Sequence, residues 1–194
     1  LVVLIGPRGE EGMLSVVRDD EETGMRLVTE ALLHSGHRRI AAVVERVNGH
    51  IDPTGRLARL RAHLSAAGVE LLEENAVIWD GSAESTLARA LALHPRPTAL
   101  FVWHDRAAYR ITEACDAAGI RVPTDLSVVG YDGLVWPSTS GHTVASAAVP
   151  LPALAHRAVG LLHRLIEGEA GPFTETISIS FHPGTTLGLP LATP

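Results

Sequence analysis

The chain has 194 residues, a formal net charge of −6, 46% hydrophobic and 20% charged residues, enough to bury one core or two small lobes and too apolar for a disordered polymer. That acidic balance excludes a nucleic-acid surface built from these residues, because neutralising phosphates needs clustered Lys and Arg. No apolar run reaches the length of a membrane span, and the single Cys115 excludes an internal disulfide and fits a reducing compartment.

Leu1 to Ile5 reads as a buried strand and residues 6–13 as a loop rich in Gly, Pro and charge. A second strand, Ser15 to Arg18, ends at Asp19-Asp20. Residues 21–35 have helical period, with Met25, Val28 and Leu32 on one stripe and Gly36 closing the helix. The apolar run Ile40 to Val44 predicts a strand, and Asn48 to Pro53 a turn-rich loop. Residues 54–67 form a basic amphipathic helix with Arg56, Arg59 and Arg61, read as a solvated face because the chain as a whole is acidic. A short strand at Ala76 to Trp79 precedes a helix over 82–93, with Ser82 as its N-cap.

The centre of the chain is a strand–helix–strand unit over 98–132. An apolar run, Thr98 to Val102, stops at His104-Asp105, and a helix with Ala108, Ile111, Thr112 and Cys115 on one face follows. Cys115 on that face reads as a buried structural thiol. Gly119 caps the helix, Val122-Pro123 ends it, and a second apolar run, Leu126 to Val129, stops at Gly130-Tyr131-Asp132. Open α/β sheets bind ligands at the carboxyl ends of their strands, so Asp105 and Asp132 are candidate ligand contacts. Residues 133–149 read as irregular, Pro150 opens a long amphipathic helix to about Glu167, and Thr176 to Phe181 alternates as an edge strand does.

The string Val122-Pro123-x-Asp125-x-Ser127-Val128-Val129-Gly130-Tyr131-Asp132, with Pro97-Thr98-Ala99, Asp105, Ala108 and Gly119-Ile120 before it, resembles the effector-binding domain of the LacI/GalR transcription regulators. Asp20, Gly24 and Gly36-His37-Arg38-Arg39-Ile40-Ala41 stand at that family's spacing too. The resemblance implies an α/β fold of two Rossmann-like lobes with a ligand cleft between them, the type I periplasmic-binding-protein-like arrangement. Carried over, the chain crosses between lobes near Arg39, within 141–149 and near Pro172. One lobe is then residues 1–39 plus 146–172 and the other 40–145 plus 173–188. The first lobe reads as incomplete, with residues missing upstream and an interruption between Gly6 and Ser15. The resemblance also implies an upstream helix-turn-helix module, a homodimer, operator DNA contacted only through that module, a cytoplasmic location and no membrane partner.

A cleft for a polyhydroxylated ligand needs planar groups that pair with adjacent hydroxyls, and an apolar wall. By resemblance Arg56 and Asp132 match ligand-binding positions, with Asp105 as a second carboxylate. His104 stands where the family commonly has Asn, and Asp20 matches a position at the cleft rim, followed by Glu21 in place of the usual Asn. Gly81 stands where the family often has an aromatic residue; Trp79, two residues earlier on the same side of an extended strand, is either a substitute wall or a core residue. Trp103 reads as packing. A guanidinium at a helix start is electrostatically disfavoured, so Arg56 is expected to turn into the cleft within reach of Asp132.

The ten histidines show no metal-ligand spacing, and no phosphate-binding glycine loop or nucleophile with a base is present. No metal, cofactor or catalytic residue is therefore expected, and the chain is not read as an enzyme. The effector is expected to be a sugar or related polyol, with a purine as second choice. The alternative is a solute-binding protein of a sugar transport system, which shares the two-lobe architecture.

Overall fold

A computed structural model describes residues 2–6, 12–46, 49–51 and 55–191. Two short strands open the chain, β1 (Val3–Ile5) and β2 (Ser15–Asp19), followed by α1 (Glu21–His34). Next come β3 (Ile40–Val44), α2 (Arg56–Ala66), β4 (Ala76–Ile78), α3 (Ala83–Leu91), β5 (Ala99–Val102), α4 (Asp105–Ala117) and β6 (Ser127–Asp132). The chain closes with β7 (Ala145–Ala148), α5 (Leu151–Ile166), β8 (Thr174–Ile177) and β9 (Ser180–His182). No helix of the described residues is long and apolar enough to cross a membrane.

The larger sheet runs β4-β3-β5-β6-β7-β9, parallel except for β9, which pairs antiparallel with β7. Every residue of β3 and β5 is buried, as an all-parallel interior covered on both faces requires. Period-two alternation divides their side chains between two cores. Ile40, Ala42, Val44 and Phe101 join Met25, Val28 and Leu32 of α1 and Leu57, Leu60 and Leu64 of α2. Ala41, Val43, Leu100 and Val102 face Leu87 and Ala90 of α3 and Ala108, Ile111 and Cys115 of α4. Burial pushes the Cys115 thiol up to about 12, so it is an inert core residue.

The smaller sheet runs β1-β2-β8, all parallel. The α5 residues Leu154, Ala158 and Leu161 close over Val17, with Phe173 and Ile177 beside them. The two-sheet α/β fold is thus the expected one.

The lobe limits differ from expectation. α1 does not share a lobe with α5: it packs on α2, β7 and β9, while α5 packs on β1, β2 and β8. A helix joined to β3 by so short a turn lays its apolar stripe on that strand's own sheet, so the first crossing falls near Asp20 rather than Arg39. The single strand expected over Thr176 to Phe181 serves two sheets instead. Ile177 packs in the α5 core, whereas Ile179, two residues later, is buried in the core of α1 and α2. The last crossing therefore lies there and not near Pro172. Within 133–149, read as irregular, β7 pairs with β6. The expected interruption between Gly6 and Ser15 falls on residues 7–11, outside the described residues.

Candidate functional site

Three strand ends meet at the carboxyl edges of the two sheets. β2 ends at Asp19, β5 leads into Trp103-His104, and β6 ends at Asp132. Across from them stands Arg56, the first residue of α2. The N-cap, Gly55, has no side chain to take up the helix's free N–H groups, and no acid lies in the first turn. Compensation for a cation at this positive helix end comes from other elements.

Arg56 donates from Nε to Glu21 at 3.1 Å, from one terminal nitrogen to Asp132 at 3.3 Å, and from the other to the Trp103 carbonyl. Its guanidinium lies 3.7 Å from the centroid of the Tyr131 ring, a cation–π stack. The expected reach from Arg56 to Asp132 is present. Asp132 adopts a φ of 113° and Gly133 one of 74°. A non-glycine residue in that region is strained, and the sharp turn carries the end of β6 past the guanidinium. Burial pushes the Asp132 carboxyl up to about 6, Arg56 pulls it down, and the nearby charges of Asp19 and Glu21 raise it further.

Tyr131 is fully buried and donates its hydroxyl to Asp19 at 2.9 Å, linking the larger sheet to the smaller one. Gly24 of α1 makes room: a Cβ there would lie 2.5 Å from the tyrosine oxygen. Neither Tyr131 nor Glu21 was among the candidate ligand residues. Tyr131 follows the apolar run Leu126 to Val129 without a spacing that marks it for a ligand, and nothing local in the sequence pairs Glu21 with Arg56, thirty-five residues later.

Asp105 stands just past the end of the neighbouring strand, and its hydrogen bonds go to β7 and the loop after β6 instead of to this cluster. It is fully buried, accepting from Ser146 Oγ at 2.7 Å and from the Leu134 backbone N–H at 2.6 Å. Ser146 Oγ in turn accepts from the Gly133 N–H at 3.1 Å. Desolvation raises the Asp105 carboxyl to about 7 against those bonds. The carboxyl therefore ties β7 and the loop after β6 to α4, and the cleft assignment for Asp105 is corrected on that ground.

His104 and Asp20 both serve as helix N-caps. The His104 Nδ1 accepts from the Ala107 N–H at 3.0 Å, and burial lowers its pKa, which keeps that nitrogen an acceptor. Asp20 accepts from the Thr23 N–H at 3.0 Å. Trp79 packs against the α3–α4 core, 5.5 Å between ring centroids from Trp103, whose ring lies 4.2 Å from that of His104. Arg110 stacks over Trp79 at 5.4 Å. The structure thus joins Arg56, Asp132, Glu21 and Tyr131 in one constellation, with His104 adjoining through Trp103.

A family model described as a periplasmic binding protein-like domain matches residues 29–186. The HTH-type transcriptional repressor PurR of Erwinia tasmaniensis is 36% identical over 140 residues, 69% of this chain and 40% of the relative. The ribose operon repressor of Escherichia coli K12 is 29% identical over 164 residues, 81% of this chain and 48% of the relative. Among solved structures, a transcriptional regulator CelR–cellobiose complex aligns with a TM-score of 0.78 at 27% identity, over 95% of this chain and 58% of that one. The chain spans 35% to 48% of the length of these and similar curated relatives. It belongs to the periplasmic binding protein-like domain family, as an effector-binding domain of the LacI type.

Proposed function

We propose that this chain is the effector-binding and dimerisation part of a transcription regulator, and that its effector is a sugar or related polyol held between the carboxyl edges of the two sheets. DNA contact falls to an upstream helix-turn-helix module, and the regulator works in the cytoplasm as a homodimer. The observation that carries the reading is the seating of Arg56. Its planar fork is fixed between Asp132, Glu21 and the Trp103 carbonyl over the Tyr131 ring, which is the chemistry that recognises vicinal hydroxyls. The names of the ribose repressor and of the cellobiose-bound regulator support a sugar over other ligands, and a regulator over a transport protein.

Arg56 and Asp132 bond the ligand directly, with His104, Asp20 and Trp79 at the margin. Because Tyr131 stacks on Arg56 and bonds Asp19 of the other sheet, a ligand that draws Arg56 aside changes the contact between lobes. A shift in lobe orientation is how such a domain reports occupancy. The test is a thermal-shift screen of ribose, cellobiose, glucose, linear polyols and nucleobases, since a ligand that binds only the folded state raises its stability by mass action. A saturable rise with one sugar or polyol, reduced in Arg56→Lys, is expected. No rise with any of them would overturn the reading.

A further inference from the structure

The guanidinium that would hold a ligand already carries an internal counter-ion. Glu21 opens α1 with a side chain only 10% exposed. One of its oxygens accepts from Arg56 Nε at 3.1 Å and the other lies 3.3 Å from a terminal nitrogen of Arg59. Glu22 takes the Nε side of Arg59 at 3.0 Å, and Asp132 takes the far side of Arg56 at 3.3 Å. Among the described residues, two guanidiniums thus meet three carboxylates, with a fourth, Asp19, under the Tyr131 hydroxyl. Glu21 is wedged between two arginines with little exposed surface.

We propose that Glu21 is a selectivity residue, an internal anion that confines the cleft to uncharged polyols and keeps out phosphorylated or carboxylated ones. This rests on the cleft reading above. A hydroxyl both donates and accepts, so vicinal hydroxyls can donate to Glu21 and Asp132 while accepting from Arg56. A phosphate near neutral pH carries a net charge of about −1.5 to −2, and at Arg56 that charge would lie against two carboxylates. Like-charge juxtaposition in a partly desolvated site is strongly unfavourable.

Inorganic phosphate is the probe, titrated at constant ionic strength into wild type, Glu21→Gln and Glu21→Gln/Arg56→Ala, with the melting temperature as readout and circular dichroism confirming the fold. Wild type is expected to show no saturable rise. Glu21→Gln is expected to bind phosphate at least about tenfold more tightly, and the added Arg56→Ala to abolish the gain. A folded Glu21→Gln without any gain would overturn the inference. So would phosphate binding by wild type that Arg56→Ala removes, an arm that does not depend on the Gln variant folding. Because these arms use phosphate alone, they stand apart from the sugar screen, whose failure would overturn the cleft reading instead.

Discussion

Asp105, just past the end of β5, and Asp132, the last residue of β6, stand at the carboxyl edge of two adjacent parallel strands, yet they have opposite uses. Asp105 is fully enclosed, with one oxygen on Ser146 and the other on the Leu134 N–H. Asp132 keeps 27% of its side chain exposed and faces Arg56. The difference comes from what lies above each strand end. Asp105 is the first residue of a helix, covered by the loop that follows β6, whereas Asp132 ends its strand in a φ of 113° that leaves its carboxylate at the cleft. One acid holds the sheet edge together, and its neighbour is turned toward the Arg56 guanidinium.

The sharpest way to break that contrast is Asp105→Ala. It leaves the Leu134 N–H without its buried acceptor and removes the partner of Ser146, so urea unfolding should show a loss of about 2–4 kcal/mol. A loss no greater than that of a surface substitution would place Asp105 outside the core. Asp105→Asn can accept from Leu134 and donate to Ser146, so it should cost much less. It should also change the pH profile. The Asp105 carboxyl is raised to about 7 in the fold, above its unfolded value of about 4. Its contribution is therefore full below about pH 4 and is lost as pH rises toward 7. Asp132, raised to about 6, acts with the same sign over a narrower window. Burial lowers the pKa of His37 and His104, which acts with the opposite sign, so the readout is the difference between chains: from pH 5 to 7 the wild-type urea midpoint should fall relative to that of Asp105→Asn. A wild-type midpoint that rises relative to that of Asp105→Asn over this interval would contradict the Asp105 assignment.

Gly24→Ala comes next in size. A methyl group 2.5 Å from the Tyr131 oxygen and 3.0 Å from Ile179 must displace the ring on which Arg56 stacks, and overpacking of this kind costs about 1–3 kcal/mol. An unchanged or higher midpoint would mean that the helix-propensity gain of alanine wins and the approach is not tight. Tyr131→Phe should cost about 0.5–1.5 kcal/mol, the net worth of one hydrogen bond, by removing the bond to Asp19.

Much of this contrast could be read in advance, and the part that could not has identifiable causes. Strands β3, β5 and β6 are apolar runs with turn signals at both ends, and the helices have clear stripes, so their existence and order followed from periodicity. β7, Ala145-Ser146-Ala147-Ala148, has no β-branched or aromatic residue and carries no strand signal of its own. It is a strand because β6 and β9 pair with it on both sides. The alternation from Thr176 to Phe181 is real, but alternation says nothing about which sheet receives each end. In the same way the approach of Arg56 to Asp132 was legible from the resemblance, while the Glu21 contact joins two helix starts whose proximity only the packing of α1 on α2 creates.

Calorimetric titration of wild type and Arg56→Lys with the sugar or polyol that emerges from the thermal-shift screen tests the central claim most directly. Lysine keeps the charge and loses the planar fork, so binding should weaken by about 1–3 kcal/mol, the range for a charge-assisted hydrogen bond, with the unfolding midpoint of the free protein changed far less. Equal affinities would contradict the account and leave Arg56 as a structural ion pair between α2 and its neighbours.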